Sequence, residues 1–374
     1  MKSKDYTEIY VHIPFCARKC DYCDFVSFSG CKDKFDAYFA ALKDQIEKTS
    51  ETVGKLPIVS CFFGGGTPSV PDASYITGVL SLLKEKFEFM PDAEISIEVN
   101  PNSANLSKLT EYRKAGFNRL SIGLQSANNN ELKALSRLHT FEEFLLTFNN
   151  AKKAGFENIN IDLMSAIPLQ TIDSYKETLN KVLLLKPTHI SSYSLILEEG
   201  TPFYEKYKDA PPVGEDEDRE MYYLTKEMLK NAGYNRYEIS NYAKDGYECK
   251  HNLGYWRRVP YLGFGISAAS LYKNTRFQMH SDLDKFINKD YSSDTIILAK
   301  KDSMEEFMFL GLRCTDGVSK EEFFKEFDID LNEYYKDEIE KLKKQDLLKE
   351  EGDRLFLTDK GLDVANYCMS EFIK

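Results

Sequence analysis

Hydrophobic residues recur with two different periods over the first two hundred residues of this chain. Short apolar runs with every-second-residue alternation stand at 8–15 (EIYVHIPF), 59–66 (VSCFFGGG), 94–101 (EISIEVNP), 119–126 (RLSIGLQS), 158–168 (NINIDLMSAIP) and 189–198 (HISSYSLILE). Runs of that length and alternation read as strands. Between them lie DKFDAYFAALKDQIEK, YITGVLSLLKEKF, LSKLTEYRKAG, FEEFLLTFNNAKKAG and SYKETLNKVLLLK. Their apolar positions fall three and four apart, the spacing of an amphipathic helix. Two of these segments close on Ala-Gly, at Ala115-Gly116 and Ala154-Gly155, where glycine serves a helix C-terminus. Strand–helix alternation of this kind predicts parallel βαβ units with right-handed crossovers. Six units fall short of the eight that close a barrel. The pattern therefore predicts an α/β fold built on a partial, open (β/α)6 barrel, with ligands gathered at the strand C-terminal ends.

Beyond residue 300 the pattern changes. MEEFMFLGLR, KEEFFKEF and NEYYKDEIEKLKKQDLL carry helical spacing, and LLKEEGDRLFLTDKGLDVANYCMSEFI reads as a glycine-turn hairpin followed by a helix. Helix, helix and hairpin suggest a winged-helix-like C-terminal domain. Three regions follow: a core over 1–235, an extension over 236–300 and the C-terminal domain over 301–374. DNA recognition is one use of a winged helix. The alternating charge signs of KEEFFKEFDIDLNEYYKDEIEKLKKQ suit a solvated helix packed on the barrel as a lid or partner surface, and that reading is preferred.

Charge and cysteine content narrow the setting. The net charge of −11 over 374 residues argues against a nucleic-acid partner, because non-specific affinity for a polyanion needs a basic surface. Eight cysteines are too few and too scattered for a disulfide framework. MKSKDYTEIY contains no apolar signal region, and the mean hydropathy is −0.45. A reducing, cytoplasmic setting is expected, in which clustered thiols bind metal.

Three thiols do cluster. In IPFCARKCDYCDF, Cys16, Cys20 and Cys23 are spaced C-x3-C-x2-C directly after the first strand. A structural zinc site wants four closed ligands, which His12, Cys31 or Asp24 would have to complete. A [4Fe–4S] cluster held by three thiolates keeps one iron open to a small molecule. The other polar residues fall at strand ends: Gly64-Gly65-Gly66-Thr67-Pro68, then Glu98 with Asn100 and Pro101, then Gln125, then Asp162, with Arg137 on the helix after the fourth strand. A glycine turn lets backbone approach a ligand closely.

C-x3-C-x2-C, then GGGTP, then E-x-N-P, in that order, resembles the radical S-adenosylmethionine superfamily. YVHIPFC, GGGTPS, RLSIGLQS, the R-x-H of Arg137 and His139, and IDLM resemble its HemN/HemW branch, which holds oxygen-independent coproporphyrinogen III oxidases and heme chaperones. The resemblance runs over nearly the whole chain. It implies that Cys16, Cys20 and Cys23 bind the cluster and that S-adenosylmethionine chelates the fourth iron. It further implies cofactor contacts from Tyr10, Gly65, Gly66, Thr67, Glu98, Gln125, Arg137 and Asp162. Tyr22 matches an aromatic position near the adenine. Tyr10 also suits a strand residue packed inside the barrel.

Two features separate the branch members. Oxidases resemble C-x3-C-x2-C-x-C, and Phe25 stands where that further cysteine would be. His251-Asn252-Leu253-Gly254-Tyr255-Trp256 matches the H-N-x-x-Y-W motif of the chaperones. A histidine beside two large aromatics offers an axial ligand and flat walls for heme; it also suits an aromatic core around a hydrogen-bonded histidine. GFGISAAS (263–270) departs from the chaperones' G-x-G-A-H-S, and SAIPLQT (165–171) has Ala166 and Leu169 where G-L-P-G-Q-T has glycines. The expected protein is a heme chaperone that binds cluster, S-adenosylmethionine and heme; the alternative is coproporphyrinogen III oxidation. The partners implied are a heme-acceptor protein, soluble or membrane-associated, and an electron donor. Monomer and homodimer both remain open.

Overall fold

The computed structural model describes residues 6–374. Six parallel strands and their crossover helices follow in order. They are β1 (Thr7–Ile13), with the short β2 (Phe15–Cys16) and β3 (Phe28–Ser29) beyond it, β4 (Pro57–Gly65), β5 (Glu88–Val99), β6 (Arg119–Gln125), β7 (Asn158–Ser165) and β8 (His189–Ser194). The helices between them are α1 (Phe35–Val53), α2 (Ala73–Lys86), α3 (Leu106–Ala115), α4 (Asn129–Ala134), α5 (Phe141–Lys153) and α6 (Ile172–Leu185). Every expected strand and crossover helix is present. The helix boundaries have local causes: Thr140 and Thr171 cap α5 and α6 in capping boxes, and Gly116 ends α3 with a left-handed residue.

The sheet order β1-β4-β5-β6-β7-β8 is sequential and parallel. After β8 come α7 (Pro202–Tyr207), α8 (Glu215–Asn231), β9 (Asn235–Arg236), β10 (Asn241–Ala243) and α9 (Lys250–Trp256). Then follow β11 (Tyr261–Phe264), β12 (Ala269–Tyr272), β13 (Thr275–Met279) and β14 (Ser293–Ile297). The 236–300 segment is woven into both ends of the sheet. β10 pairs with β8, while β11 lies parallel to β1 and carries β12, β13 and β14 outward. The sheet ends on β9 at one side and β14 at the other, so the barrel stays open.

Side-chain alternation sorts the strands into two faces. Ile9, Val11 and Ile13 of β1, with Cys61 and Phe63 of β4, are fully buried against the helices. Each large aliphatic or aromatic group so placed stabilises the fold by about 1.5–3 kcal/mol. The opposite parity fills the barrel interior with polar groups. Ser60 donates to Glu8, Asn160 donates to Ser121 and Asp162, and His189 meets Asn160. Arg119 lies 3.9 Å from Glu94 with both side chains buried.

The C-terminal unit has its own core, built on Met308, Phe323, Phe327, Tyr335, Leu342, Leu355 and Phe372. Its helices at Lys300–Gly311, Lys320–Phe327 and Lys336–Lys344 precede a hairpin, Leu348–Glu351 with Arg354–Leu357, and a third short strand at Val318–Ser319 joins it. This is the expected order. Arg258, left-handed at φ 53°, ties this unit to the barrel through Glu306 (3.2 Å) and Glu326 (2.8 Å). Both groups of the Arg258–Glu306 pair are almost wholly buried. Arg258→Met is therefore expected to lower the unfolding free energy by roughly 1–3 kcal/mol in chemical denaturation, because it leaves Glu306 Oε2 without its partner while Arg276 still holds Oε1 at 2.8 Å. Adding Glu306→Met should recover part of the loss; no recovery would mean that the pair is not what couples the two units. Among the described residues no helix is long and apolar enough to cross a membrane.

Candidate functional site

The cysteine loop leaves the barrel at the C-terminal end of β1 and is stitched back by β2 and β3. Cys16 pairs with Ser29, and the Phe28 amide donates to the Pro14 carbonyl at 2.7 Å. Within the loop the Cys23 amide donates to the Cys20 carbonyl at 3.2 Å. The Phe203 amide of α7 holds the Asp21 carbonyl at 3.0 Å, and Ser136 donates to the Asp21 carboxylate. Tyr22 packs on Phe203 with ring centroids 6.3 Å apart.

A chain of contacts joins two of the thiols. Cys16 Sγ lies 3.5 Å from Thr67 Oγ1, which accepts from Asn100 Nδ2 at 2.9 Å. Asn100 Oδ1 accepts from Arg137 Nη2 at 2.9 Å, and Arg137 Nη1 reaches Cys20 Sγ at 3.7 Å. Arg137 does not lie on a helix as expected but in the turn between α4 and α5, where its amide donates to the Leu132 carbonyl; its side chain also donates to the Gly123 carbonyl at 2.8 Å, while its buried Nε has no partner. Burial, with Cys20 and Cys16 as neighbours, pushes the Cys23 thiol up to about 11. Holding three thiolates in this loop would require added positive charge, which a metal coordinated by Cys16, Cys20 and Cys23 would supply.

His12 settles one alternative. Its Nε2 lies 2.9 Å from the Val26 carbonyl, which only accepts, so Nε2 carries the proton and Nδ1 accepts from the Tyr10 hydroxyl at 3.0 Å. Both nitrogens are engaged, which removes His12 as a fourth zinc ligand. Among the described residues no three His, Cys, Asp or Glu groups converge on a single metal ion. A cluster places one thiolate on each of three irons, so its ligands need not share one ion. The residues fit that group.

Gly65 has φ 110°, and a Cβ there would fall 2.6 Å from the His12 ring, so only glycine fits. Below the cysteines the barrel interior concentrates acid. Burial, and then Asp162, raise the Glu98 carboxyl from 4.5 to about 8, opposed by the Gly65 amide and Arg119. Asp162 is likewise raised by burial, with Asn160 and Ser121 opposing. Burial and then Glu98 hold the Tyr10 hydroxyl well above its ordinary range. Gln125, left-handed at φ 70°, accepts from the Tyr193 hydroxyl at 3.4 Å.

The structure thus brings together Cys16, Cys20, Cys23, Tyr22, Gly66, Thr67 and Arg137 at the mouth, where a Cβ on Gly66 would fall 3.1 Å from Cys16 Sγ, above Tyr10, Gly65, Glu98, Gln125 and Asp162. Tyr193 was not singled out by sequence; its alternate position in HISSYS was the available signal. The departures at 165–171 also gain a physical meaning. Ala166 (φ 56°) and Leu169 (φ 69°) hold left-handed backbone without glycine, and Leu169 is 71% exposed.

His251 lies elsewhere. Helix α9 packs against Glu8 of β1, Ser60 and Phe62 of β4 and Glu94 of β5, all of which precede the strand ends that carry the cysteine loop and the glycine turn. His251 is 2% exposed, and its Nδ1 sits 2.7 Å from Ser60 Oγ. Phe62 stacks on the ring at 5.2 Å and Tyr255 meets it edge-on at 4.7 Å. The buried Nε2 has no partner, and burial lowers the imidazole to about 3. Arg313 of the C-terminal unit covers the Trp256 ring at 4.3 Å. As placed, the His251 ring is enclosed by Phe62 and Tyr255, so heme ligation by it requires α9 to lift away.

The radical SAM superfamily profile matches residues 10–182, and the HemN C-terminal domain profile matches 298–364. The heme chaperone HemW of Lactococcus lactis is 34% identical over 97% of this chain and 96% of its own length. That of Bacillus subtilis is 32% identical over 97% and 98%. Among solved structures, coproporphyrinogen III oxidase (HemN) from Escherichia coli, a radical SAM enzyme, superposes with a TM-score of 0.87 at 25% identity, covering 100% of this chain and 91% of that one. A radical SAM domain implies a [4Fe–4S] cluster and S-adenosylmethionine, the groups that the mouth and interior of this barrel suit. The chain belongs to the radical SAM superfamily and, within it, to the HemW family.

Proposed function

We propose that this protein is a heme chaperone: it binds heme and passes it to an acceptor protein, using a cluster held by Cys16, Cys20 and Cys23 together with S-adenosylmethionine. The observation that carries the reading is full-length similarity to heme chaperones. Phe25 supports it: the side chain at the position of the oxidases' further cysteine is apolar and 62% exposed. It contributes no ligand. A soluble or membrane-associated acceptor, an electron donor, and a monomer or homodimer are all compatible with this reading.

The chain's own residues have distinct parts in it. Bound together, cluster and S-adenosylmethionine supply one-electron reductive chemistry. Arg137 places a fixed positive charge beside Cys20 and holds Asn100, which orients Thr67 toward Cys16. Arg137, with Nε still unpartnered, suits the methionine carboxylate. Glu98 and Asp162 offer acceptors for ammonium and ribose hydroxyl donors. Gly65 and Gly66 let backbone approach the amino end. His251 is neutral above about pH 3, the form that ligates iron, and serves heme only after α9 opens.

Coproporphyrinogen III oxidation is favoured by one observation, the match to the oxidase fold over the whole chain. One anaerobic preparation separates the two. The reduced, cluster-loaded protein is expected to bind heme, to release it to an apo-cytochrome, and to leave coproporphyrinogen III unconverted. Catalytic formation of protoporphyrinogen IX would replace the chaperone reading with the oxidase one.

A further inference from the structure

Helix α9 is held at both ends, and the two ends are held differently. At the C-terminal end Arg257 pairs with Asp316 at 3.1 Å, and Arg258 makes its buried pairs with Glu306 and Glu326. Arg313 lies over Trp256 there. At the N-terminal end three donors converge on one carboxylate: the Cys249 thiol (3.4 Å), the Lys250 amide (3.2 Å) and the His251 amide (3.4 Å) all reach Glu94. Both amide bonds are long against the ~2.9–3.0 Å at which N–H···O bonds cluster. Lys250 adds an exposed pair with Asp92, a kind of contact that contributes little. Ahead of the helix Gly246 stands at φ 79° with open space where a Cβ would be, so the chain has room to turn there.

The closed seat also leaves polar groups unmatched. A Cβ on Gly254 would fall 2.0 Å from Glu8 Oε1, so the helix backbone rests directly on that buried acid. Ser60 has one hydroxyl proton, which it donates to Glu8 at 2.9 Å. It therefore accepts from His251 Nδ1 at 2.7 Å, and His251 Nε2 keeps a free lone pair. Glu8 Oε2 and His251 Nε2 are both buried without a partner. Orphaned polar groups of this kind cost free energy, and here they lie under the loosely held end of α9. Closure is thus opposed at the very place where its fastenings are weakest.

We propose that α9 is a hinged cover over its own ligand: Glu94 and Ser60 latch its N-terminal half shut, Arg258 anchors the C-terminal end as the pivot, and opening turns His251 Nε2 out to heme. This rests on the chaperone reading and names what regulates its ligand. The bond formed is a lone-pair donation from imidazole to iron, with no electron or proton transferred. Heme binds only the open form, so the apparent dissociation constant is the intrinsic one divided by the open fraction. Glu94 and Ser60 therefore oppose binding. Groups that merely positioned the imidazole would favour it, which gives the two roles opposite signs.

The test uses the full-length, anaerobically reconstituted protein and two readouts of the open fraction. One is the affinity for ferric heme, followed at the Soret band. The other is the alkylation rate of Cys249 in the heme-free protein, read by peptide mass mapping, since that thiol is fully buried while α9 is closed. Ser60→Ala and Glu94→Ala are each expected to bind heme about tenfold more tightly than the parent, the ratio that one lost hydrogen bond of ordinary strength allows. Cys249 should be alkylated faster by the same factor, and the Soret position should match the parent's because the ligand is unchanged. Ser60→Ala removes only a hydroxyl and decides the matter alone if Glu94→Ala fails to fold. Weaker or unchanged heme binding in Ser60→Ala would overturn the latch and leave the chaperone reading intact. So would faster alkylation with no gain in affinity, or a gain in affinity with alkylation unchanged. Failure of the parent and both variants alike to bind heme would overturn the chaperone reading itself.

Discussion

Replacing Cys16, Cys20 or Cys23 with alanine is expected to leave the anaerobically reconstituted protein without iron or sulfide, against about four irons per chain in the parent. The effect is all-or-none because each thiolate serves a separate iron and nothing nearby can substitute. His12 has both ring nitrogens engaged, by Val26 and Tyr10. Cys31 is the instructive control. It is the one other partly exposed cysteine near the loop, but its Sγ donates to the Ser29 carbonyl at 3.5 Å and stands outside the chain of contacts that joins Cys16, Thr67, Asn100, Arg137 and Cys20. Cys31→Ala should keep the full iron and sulfide complement. Metal analysis and the cluster's visible absorption check both outcomes. Stoichiometric zinc in place of iron, or iron lost equally in Cys31→Ala, would refute the assignment.

Much of this site was legible in the sequence because it lies at the junctions between periodic segments. Each strand of the barrel is a short alternating run, and the polar residue that ends it (Glu98, Gln125) or faces the interior along it (Asp162) interrupts an otherwise apolar pattern. Parallel topology then places those positions around one mouth without further information. What the sequence did not give was depth. HNLGYW has the residue types of a heme pocket, yet α9 carries it away from the cysteines, where Ser60 and Phe62 meet the imidazole and Arg313 covers one face of the indole. Local composition cannot tell a pocket wall from a plug, since both are aromatic with one histidine; long-range packing against β4 and residue 313 decides it. The 236–300 segment was hidden for the same reason. Its strands are short, and pairing with β1 and β8, distant in sequence, stabilises them. His139 was visible only as part of an R-x-H pattern.

Affinity for S-adenosylmethionine is expected to rise with pH up to about 8 and then level off, and the cause is Glu98. Burial, and then the nearby Asp162, raise its carboxyl from 4.5 to about 8, so at neutral pH it is mostly protonated. The cofactor carries an ammonium and a sulfonium, and a cation of that kind binds the ionised carboxylate better than the neutral acid. Below pH 8 the site must therefore release a proton on binding. The affinity should change by up to about tenfold per pH unit, the limit for one linked proton. Calorimetry of the cluster-loaded protein in buffers of different ionisation enthalpy should detect that proton leaving. The cofactor-free barrel should show the opposite trend. A raised carboxyl pKa stabilises the fold fully below pH 4.5, and that contribution is lost as pH rises from there through about 8. Glu98→Gln mimics the protonated form, so both pH dependences should flatten while affinity stays near its low-pH value. Asp162→Asn removes the like charge and should move the plateau to lower pH. If Glu98→Gln retains the parent's pH profile, another group titrates and Glu98 does not meet the cofactor's charge.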